Sequence, residues 1–417
     1  MTTSSIEHQP LRYPLWAGRT TAFLAITVSA LNLRSAVTSL SPLLSLIGGE
    51  FGFGSGTIGV FGMLPPACFA LFGTLTPALI RRIGLEYTAV VALGITTAGV
   101  ALRGLSDGTA SLILLSVIAL AGMGIVGVTI PPLVREYFSD RLAMVSSVYL
   151  IALHLGALVP PLVIVPLTNA VGWRTAVVVW AAVAAAAVAL WLVTIRSRKH
   201  APHPHHRNRP EAEAEPVGVL PHHAWRSPPV WNLTVLFGMT SWNVFILFTW
   251  LPTLVTDAGY SSGFGGSMVS LLIGISMLIG IFTPTLTIRL HNPTPLVEAC
   301  MGLYVVGYAG FAFAPRTATV LWVILLGAAS SLFIVATTMI NTHSRTPAGS
   351  AVTSGFVQGI GGAIAVPGPL LFGLLHTWSG GWTASYMLVA LSLVALGIAG
   401  LRERRHGTIE DDLARSV

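Results

Sequence analysis

The amino-acid sequence predicts an all-α integral membrane protein: twelve transmembrane helices in two pseudo-symmetric six-helix halves. Three observations carry this. Of 417 residues, 53% are hydrophobic and 9% are charged, with a mean hydropathy of +0.78, a balance foreign to soluble domains. Apolar runs of the roughly 20 residues needed to cross a hydrocarbon core about 30 Å thick recur along the chain. A polar, charged stretch divides those runs six and six.

In chain order the runs centre on 19–47, 57–80, 86–105, 109–134, 142–168 and 174–195, then 230–256, 264–288, 296–314, 319–342, 350–375 and 382–401. Several hold proline and glycine, as in "GMLPP" (62–66) and "AVPGPLLFG" (365–373), which membrane bundles tolerate. Each run is about twice the length of a barrel strand and lacks its alternating polarity. Gly-rich "GMGIVG" (122–127) and "GIGGAIAVPGP" (359–369) suit close helix approach and bending. Between the sixth and seventh runs the chain turns polar and Pro-rich, so residues 1–195 form the N-terminal half, 196–229 a linker, and 230–417 the C-terminal half with a tail.

The net charge of +7 and pI near 9.9 report topology, not nucleic-acid binding. With both termini inside, all 22 Lys and Arg residues except Arg34, Arg103, Arg174 and Arg316 fall in cytoplasmic segments, as the positive-inside rule requires. The expected location is a bacterial-type cytoplasmic membrane. No small-residue cleavage site follows a short apolar core in the first run, so it is read as a retained helix. Cys68 and Cys300 are read as buried free thiols. The linker histidines (His200, His203, His205, His206, His222, His223) sit among prolines and lack the ordered frame a metal site needs, so neither metal nor cofactor is expected.

The halves echo each other. Ser147, Pro160 and the pair Gly172-Trp173 recur at closely matching spacing as Ser354, Pro367 and Gly381-Trp382, and "LSPLL" (40–44) matches "WLPTL" (250–254). Such duplication about an axis normal to the membrane places a solute site between the halves near the midplane.

Within the apolar background the polar exceptions are informative. Arg34 lies mid-span, where an arginine must face protein, water or ligand. Thr27, Thr38, Ser41 and Ser45 share its helical stripe, which reads as the lining of a cavity. All 15 acidic residues fall in loops, tails or span ends, so no mid-membrane carboxylate is at hand for Arg34. Its guanidinium fork suits a carboxylate or small oxyanion; the structural alternative is that helix-end carbonyls satisfy it. Asn32, beside it, joins the candidate ligands. His154 in the fifth run, Asn243 in the seventh and Gln358 in the eleventh are the further polar candidates, and His154 is the candidate proton carrier. Each has an interhelical hydrogen bond as its plain structural role. Of the aromatics near this level, Tyr149 and Trp250 are the candidate ligand contacts. No phosphate loop, zinc helix or Ser-His-Asp arrangement is present, and no enzymatic activity is expected.

At "LNLRSAVTSLSPLL" (31–44) the sequence resembles the cyanate and 2-nitroimidazole transporter family of the major facilitator superfamily. "RRIGLE" (81–86), "PPLVREYFSDR" (131–141), "GWRTAVVVW" (172–180) and "WLPTLVTDAGYS" (250–261) continue the likeness over nearly all twelve runs. It implies the major facilitator fold and transport of small, compact solutes. In the loop motif of that superfamily, aligned on "PALIRRIGLE" (77–86), Pro77 replaces the first glycine, Arg81 the aspartate and Glu86 a basic residue, while Arg82 and Gly84 keep their types. These four, Arg81, Arg82, Gly84 and Glu86, are the candidate gate; positive-inside anchoring explains the two arginines equally. Ser35 stands where a proline often follows the family's arginine.

The reading is therefore an alternating-access secondary transporter of a small polar or anionic solute, with Arg34 as its main ligand and the bilayer and possible coupling protons as its other partners. One chain holds both halves, so a monomer is expected. The alternatives are an exporter of small neutral nitroheterocyclic or drug-like aromatic compounds and, from another class, a membrane sensor that moves no solute.

Overall fold

A computed structural model describes residues 19–198, 224–225, 227–290, 293–342 and 347–402. Among them are twelve helices long and apolar enough to span a membrane: Thr20–Phe51, Ser55–Ile83, Leu85–Arg103, Thr109–Tyr137, Met144–Val171, Trp173–Ser197, Pro228–Asp257, Ser262–Thr287, Thr294–Phe313, Thr319–Ile340, Val352–Ser379 and Thr383–Arg402. They are numbered spans 1 to 12. Each expected run coincides with one of them, the ends shifting by a few residues. Most of the linker, including its histidines, lies outside the described residues.

Two spans are interrupted where their sequence withholds a backbone donor. Span 1 is α-helical to Thr38 and passes through a 3₁₀ turn at Ser41–Leu43 before resuming at Leu44, because Pro42 has no N–H to give. Span 11 breaks at Val366, ahead of Pro367 and Pro369. Elsewhere prolines remain inside helices, as at Pro131 and Pro132 in span 4 and Pro252 in span 7. The carbonyl that Pro252 strands is that of Phe248, one turn earlier, and Ser41 Oγ of span 1 donates to it. The two matching motifs "LSP" and "WLP" thus meet, the serine of one satisfying the backbone gap in the other.

Spans 1 to 6 pack mainly on one another, as do spans 7 to 12, and the two sets meet chiefly through span 2 against span 11 and span 5 against span 8. The ends that adjoin the basic loops are called the basic end, the others the far end. Between described residues, the hydrogen bonds joining the two sets all lie on the far side. They are Ser41 to Phe248, with a longer contact to Thr249, Ser45 with Thr253 at 3.4 Å, and Ser270 Oγ to the Leu158 carbonyl at 2.7 Å. The backbone of span 2 comes close to span 11 at the same level, where a Cβ on Gly59 would lie 2.8 Å from Leu370 Cα. At the basic end a hollow of about 630 Å³ is bordered by Leu85, Pro131, Pro132, Arg135, Leu142 and Tyr149, among others.

One glycine decides how span 1 meets span 5. A Cβ on Gly156 would fall on the Leu31 carbonyl oxygen, with Leu31 Cα only 2.9 Å away, so the obstacle is backbone and cannot rotate aside. Gly156→Ala is expected to force the two spans apart and to lower the apparent melting temperature of the detergent-solubilised protein, a loss of about 1–3 kcal/mol for an overpacked contact. Gly94→Ala, where the added methyl meets nothing within 4 Å, serves as the neutral control.

Candidate functional site

The close pass of Leu31 and Gly156 sets the centre of the first six spans. It carries span 5 across span 1 at the level of Asn32 and Arg34, and brings His154 within electrostatic reach of the Arg34 guanidinium. Arg34 is half-buried, and among the described residues its side chain makes no hydrogen bond or ion pair. Helix-end carbonyls do not satisfy it. Asn32 is 2% exposed, and its Nδ2 has no partner although buried. His154 Nδ1 lies 2.8 Å from the Leu150 carbonyl. A carbonyl can only accept, so Nδ1 carries the proton and the neutral ring presents its Nε2 lone pair. A guanidinium, an orphaned amide and an imidazole therefore share one level of the bundle, and the first two offer donors that the protein itself does not use.

The rest of the stripe on span 1 behaves differently from the cavity lining its spacing suggests. Thr27 Oγ1 donates to the Phe23 carbonyl at 2.8 Å and Thr38 Oγ1 to the Arg34 carbonyl at 3.2 Å, the back-bonding open to any helical threonine. Ser41 and Ser45 are taken up in contacts with span 7. Arg34 alone of the stripe is left without a hydrogen bond.

The other candidates are spread out. Asn243 is fully buried and turned to span 12, its Nδ2 donating to the Met239 carbonyl at 2.8 Å and to Ser392 Oγ at 3.1 Å, with Oδ1 unpartnered. Trp250 is likewise sealed from solvent. Its Nε1 donates to the Pro369 carbonyl at 2.9 Å and its ring packs against Phe372 and Trp382, so it fastens span 7 to spans 11 and 12. Gln358 is exposed and bonds Ser354 Oγ at 2.7 Å, one turn earlier. Tyr149 is half-buried on the wall of the hollow at the basic end.

The loop from span 2 to span 3 turns on Gly84, whose φ of +85° is costly for any residue with a side chain. Arg81 and Arg82 are exposed beside it. Glu86 accepts a hydrogen bond from the Tyr137 hydroxyl at the end of span 4, and next to it Arg19 grips Asp140 through two bonds of 2.8 and 3.1 Å and reaches the Tyr137 carbonyl at 2.9 Å. This ties the basic ends of spans 1, 3 and 4 together. The Arg19 fork holds the Asp140 carboxyl below its ordinary range. A carboxyl lowered on folding stabilises the fold above its unfolded value, about 3.9, and loses that contribution as pH falls through the folded value. Asp140→Asn is therefore expected to cost about 1 kcal/mol or less at neutral pH and nothing once the wild-type carboxyl is protonated, as melting curves of the two proteins compared from pH 7 down to about pH 2 would show.

Sequence spacing gave no sign of Arg103. It closes span 3, where it reads as a residue of an outer loop, yet it is 1% exposed and Nη1 donates to the Ala36 carbonyl of span 1 at 2.9 Å. The one available clue was Pro42: a helix that breaks there leaves carbonyls in its last turn in search of donors.

The family model of the Major Facilitator Superfamily matches residues 22–366. The chain belongs to that superfamily. Among its relatives, the 2-nitroimidazole transporter of Escherichia coli strain K12 is 28% identical over 90% of this chain and 93% of its own length. The cyanate transport protein CynX of the same organism is 25% identical over 91% and 96%. In three dimensions the chain superposes on a point mutant of the nucleoside transporter NupG with a TM-score of 0.75 at 14% identity, covering 92% of this chain and 99% of that one. As a major facilitator protein the chain is a multi-pass membrane transporter of a small solute and not an enzyme.

Proposed function

We propose that this transporter moves a small anionic or strongly hydrogen-bond-accepting solute by alternating access, with Arg34 as its principal ligand. The observation that carries the reading is the Arg34 guanidinium at mid-span, which makes no hydrogen bond or ion pair among the described residues. A cation without a counter-ion at mid-span is costly, and a bound anion would relieve that cost while accepting from the guanidinium fork. His154 faces the same level. With Nδ1 committed to Leu150, a proton taken up at Nε2 would add a second positive group for the solute, a route for proton coupling. Asn243 and Trp250 are better supported as fasteners of the last six spans than as ligands, since each bonds another span of that half, whereas exposed Gln358 bonds Ser354 of its own helix and stays a candidate ligand.

The positive-inside rule supports a basic end that faces the cytoplasm, and with it the reading of a cytoplasmic-membrane protein with both termini inside. The hydrogen bonds between the halves then lie on the outer side, which is the arrangement of an inward-open state. The relatives' two named cargoes, cyanate and 2-nitroimidazole, favour a compact solute, and the prolines and leucines around Tyr149 leave room for a neutral heterocycle as the second reading.

Thermal unfolding of the purified protein and of Arg34→Ala, across a panel of small anions and neutral nitroheterocycles, tests the proposal. A ligand bound only by the native state raises the apparent stability as its concentration passes Kd. An anion that stabilises wild type and not the variant supports Arg34 as ligand. Equal responses of the two proteins, or stabilisation by neutral aromatics alone, would overturn it.

A further inference from the structure

Toward the far end from Arg34, Arg103 sits in surroundings that ask for a ligand of its own. The side chain is 1% exposed and, among the described residues, has no carboxylate partner. Of its five N–H donors it engages one, through Nη1 to Ala36; Nε is buried and unpartnered. Ser116 of span 4, also 1% exposed, has a hydroxyl that is buried and unpartnered too. Both residues border the same small pocket of about 30 Å³, closed on its other side by Phe245, Phe248 and Thr249 of span 7. The nearby acidic groups are committed elsewhere: Glu50 to Trp173 and Arg174, and Asp107 to Ser111. A full positive charge, two idle donor groups and room for about one or two solvent-sized particles thus coincide.

We propose that this pocket is a second anion site, separate from the level of Arg34, that takes a monovalent anion of halide size between Arg103 and Ser116. The pocket has walls from both halves. It exists only while the far ends are together, since span 7 carries Phe248 and Thr249 away when they part. An anion held there favours the far-closed state by the difference in its affinity for the two states. The site does not depend on what Arg34 binds.

The test is thermal unfolding of the full-length protein in detergent at constant ionic strength, with bromide or chloride replacing gluconate, for wild type, Arg34→Gln, Arg103→Gln and Ser116→Ala. Wild type and Arg34→Gln should gain stability with halide in a saturable way. Arg103→Gln should lose the dependence, and Ser116→Ala should need about tenfold more halide, the loss of one hydrogen bond to a charged group. Cyanate in place of halide separates an ion from a cargo source, because a cargo acting through Arg34 would lose its effect in Arg34→Gln. Should Arg103→Gln fail to fold, crystals soaked in bromide give a second readout through an anomalous peak beside Arg103. Halide response that is absent in wild type, or unchanged in Arg103→Gln and Ser116→Ala, would show that Arg103 only caps span 1.

Discussion

Arg34→Ala is expected to lower solute flux in proteoliposomes by at least about 100-fold while leaving the protein as stable as wild type or more so. The two halves of that expectation come from the same fact. In the absence of solute the guanidinium has no hydrogen bond or ion pair among the described residues, so truncating it breaks no internal contact and removes an uncompensated charge from mid-membrane, which is neutral or stabilising. In the bound state a guanidinium fork gives an oxyanion two charge-assisted bonds, each worth about 1.5–3 kcal/mol. Losing both costs two or more powers of ten in affinity. Arg34→Lys keeps the charge without the fork and should fall between. A variant that loses both flux and several degrees of melting temperature would instead assign Arg34 to the scaffold, and full flux in Arg34→Ala would remove it from the solute path.

Why this residue stands out in the sequence while the partners of others cannot be read there is a matter of which forces act locally. Hydropathy and loop charge set the spans, and both are properties of short segments, so all twelve could be read with errors only at their ends. Arg34 was legible because a charge in an apolar run has no local remedy. Asn243 and Trp250 looked equivalent to it by position, but a helix buried all round, as span 7 largely is, has no periodic signal to separate a cavity face from a packing face. Their partners, Ser392 and Pro369, lie more than a hundred residues away. Arg103 failed for the opposite reason: at a span end, composition favours solvent, and only the broken carbonyl ladder at Pro42 shows that span 1 needs a donor there. The echo between "LSP" and "WLP" was read as a sign of duplication. The fold adds that the two copies touch, Ser41 closing the gap left by Pro252.

That contact makes the far end the place where transport can be stopped outright. Ser45 and Thr253 lie one turn beyond Ser41 and Thr249 on facing spans, with hydroxyl oxygens 3.4 Å apart, and the natural cysteines Cys68 and Cys300 are both buried and can be replaced by alanine to give a clean background. A double variant, Ser45→Cys with Thr253→Cys, should form a disulfide on oxidation while the far ends are together. The hydrogen bonds that hold the halves there contribute only about 1 kcal/mol net apiece, so thermal motion parts them readily; a covalent bridge does not yield. Oxidised protein in liposomes should therefore show flux no greater than protein-free vesicles, and dithiothreitol should restore it. The cross-linked protein should still bind solute from the basic end, because Arg34 lies on the other side of the lock, so stabilisation by ligand survives where flux does not. If flux continues with the disulfide intact, spans 1 and 7 need not separate at this level and alternating access must use another hinge. If binding is lost along with flux, Arg34 is reached from the far side and the inward-open reading fails.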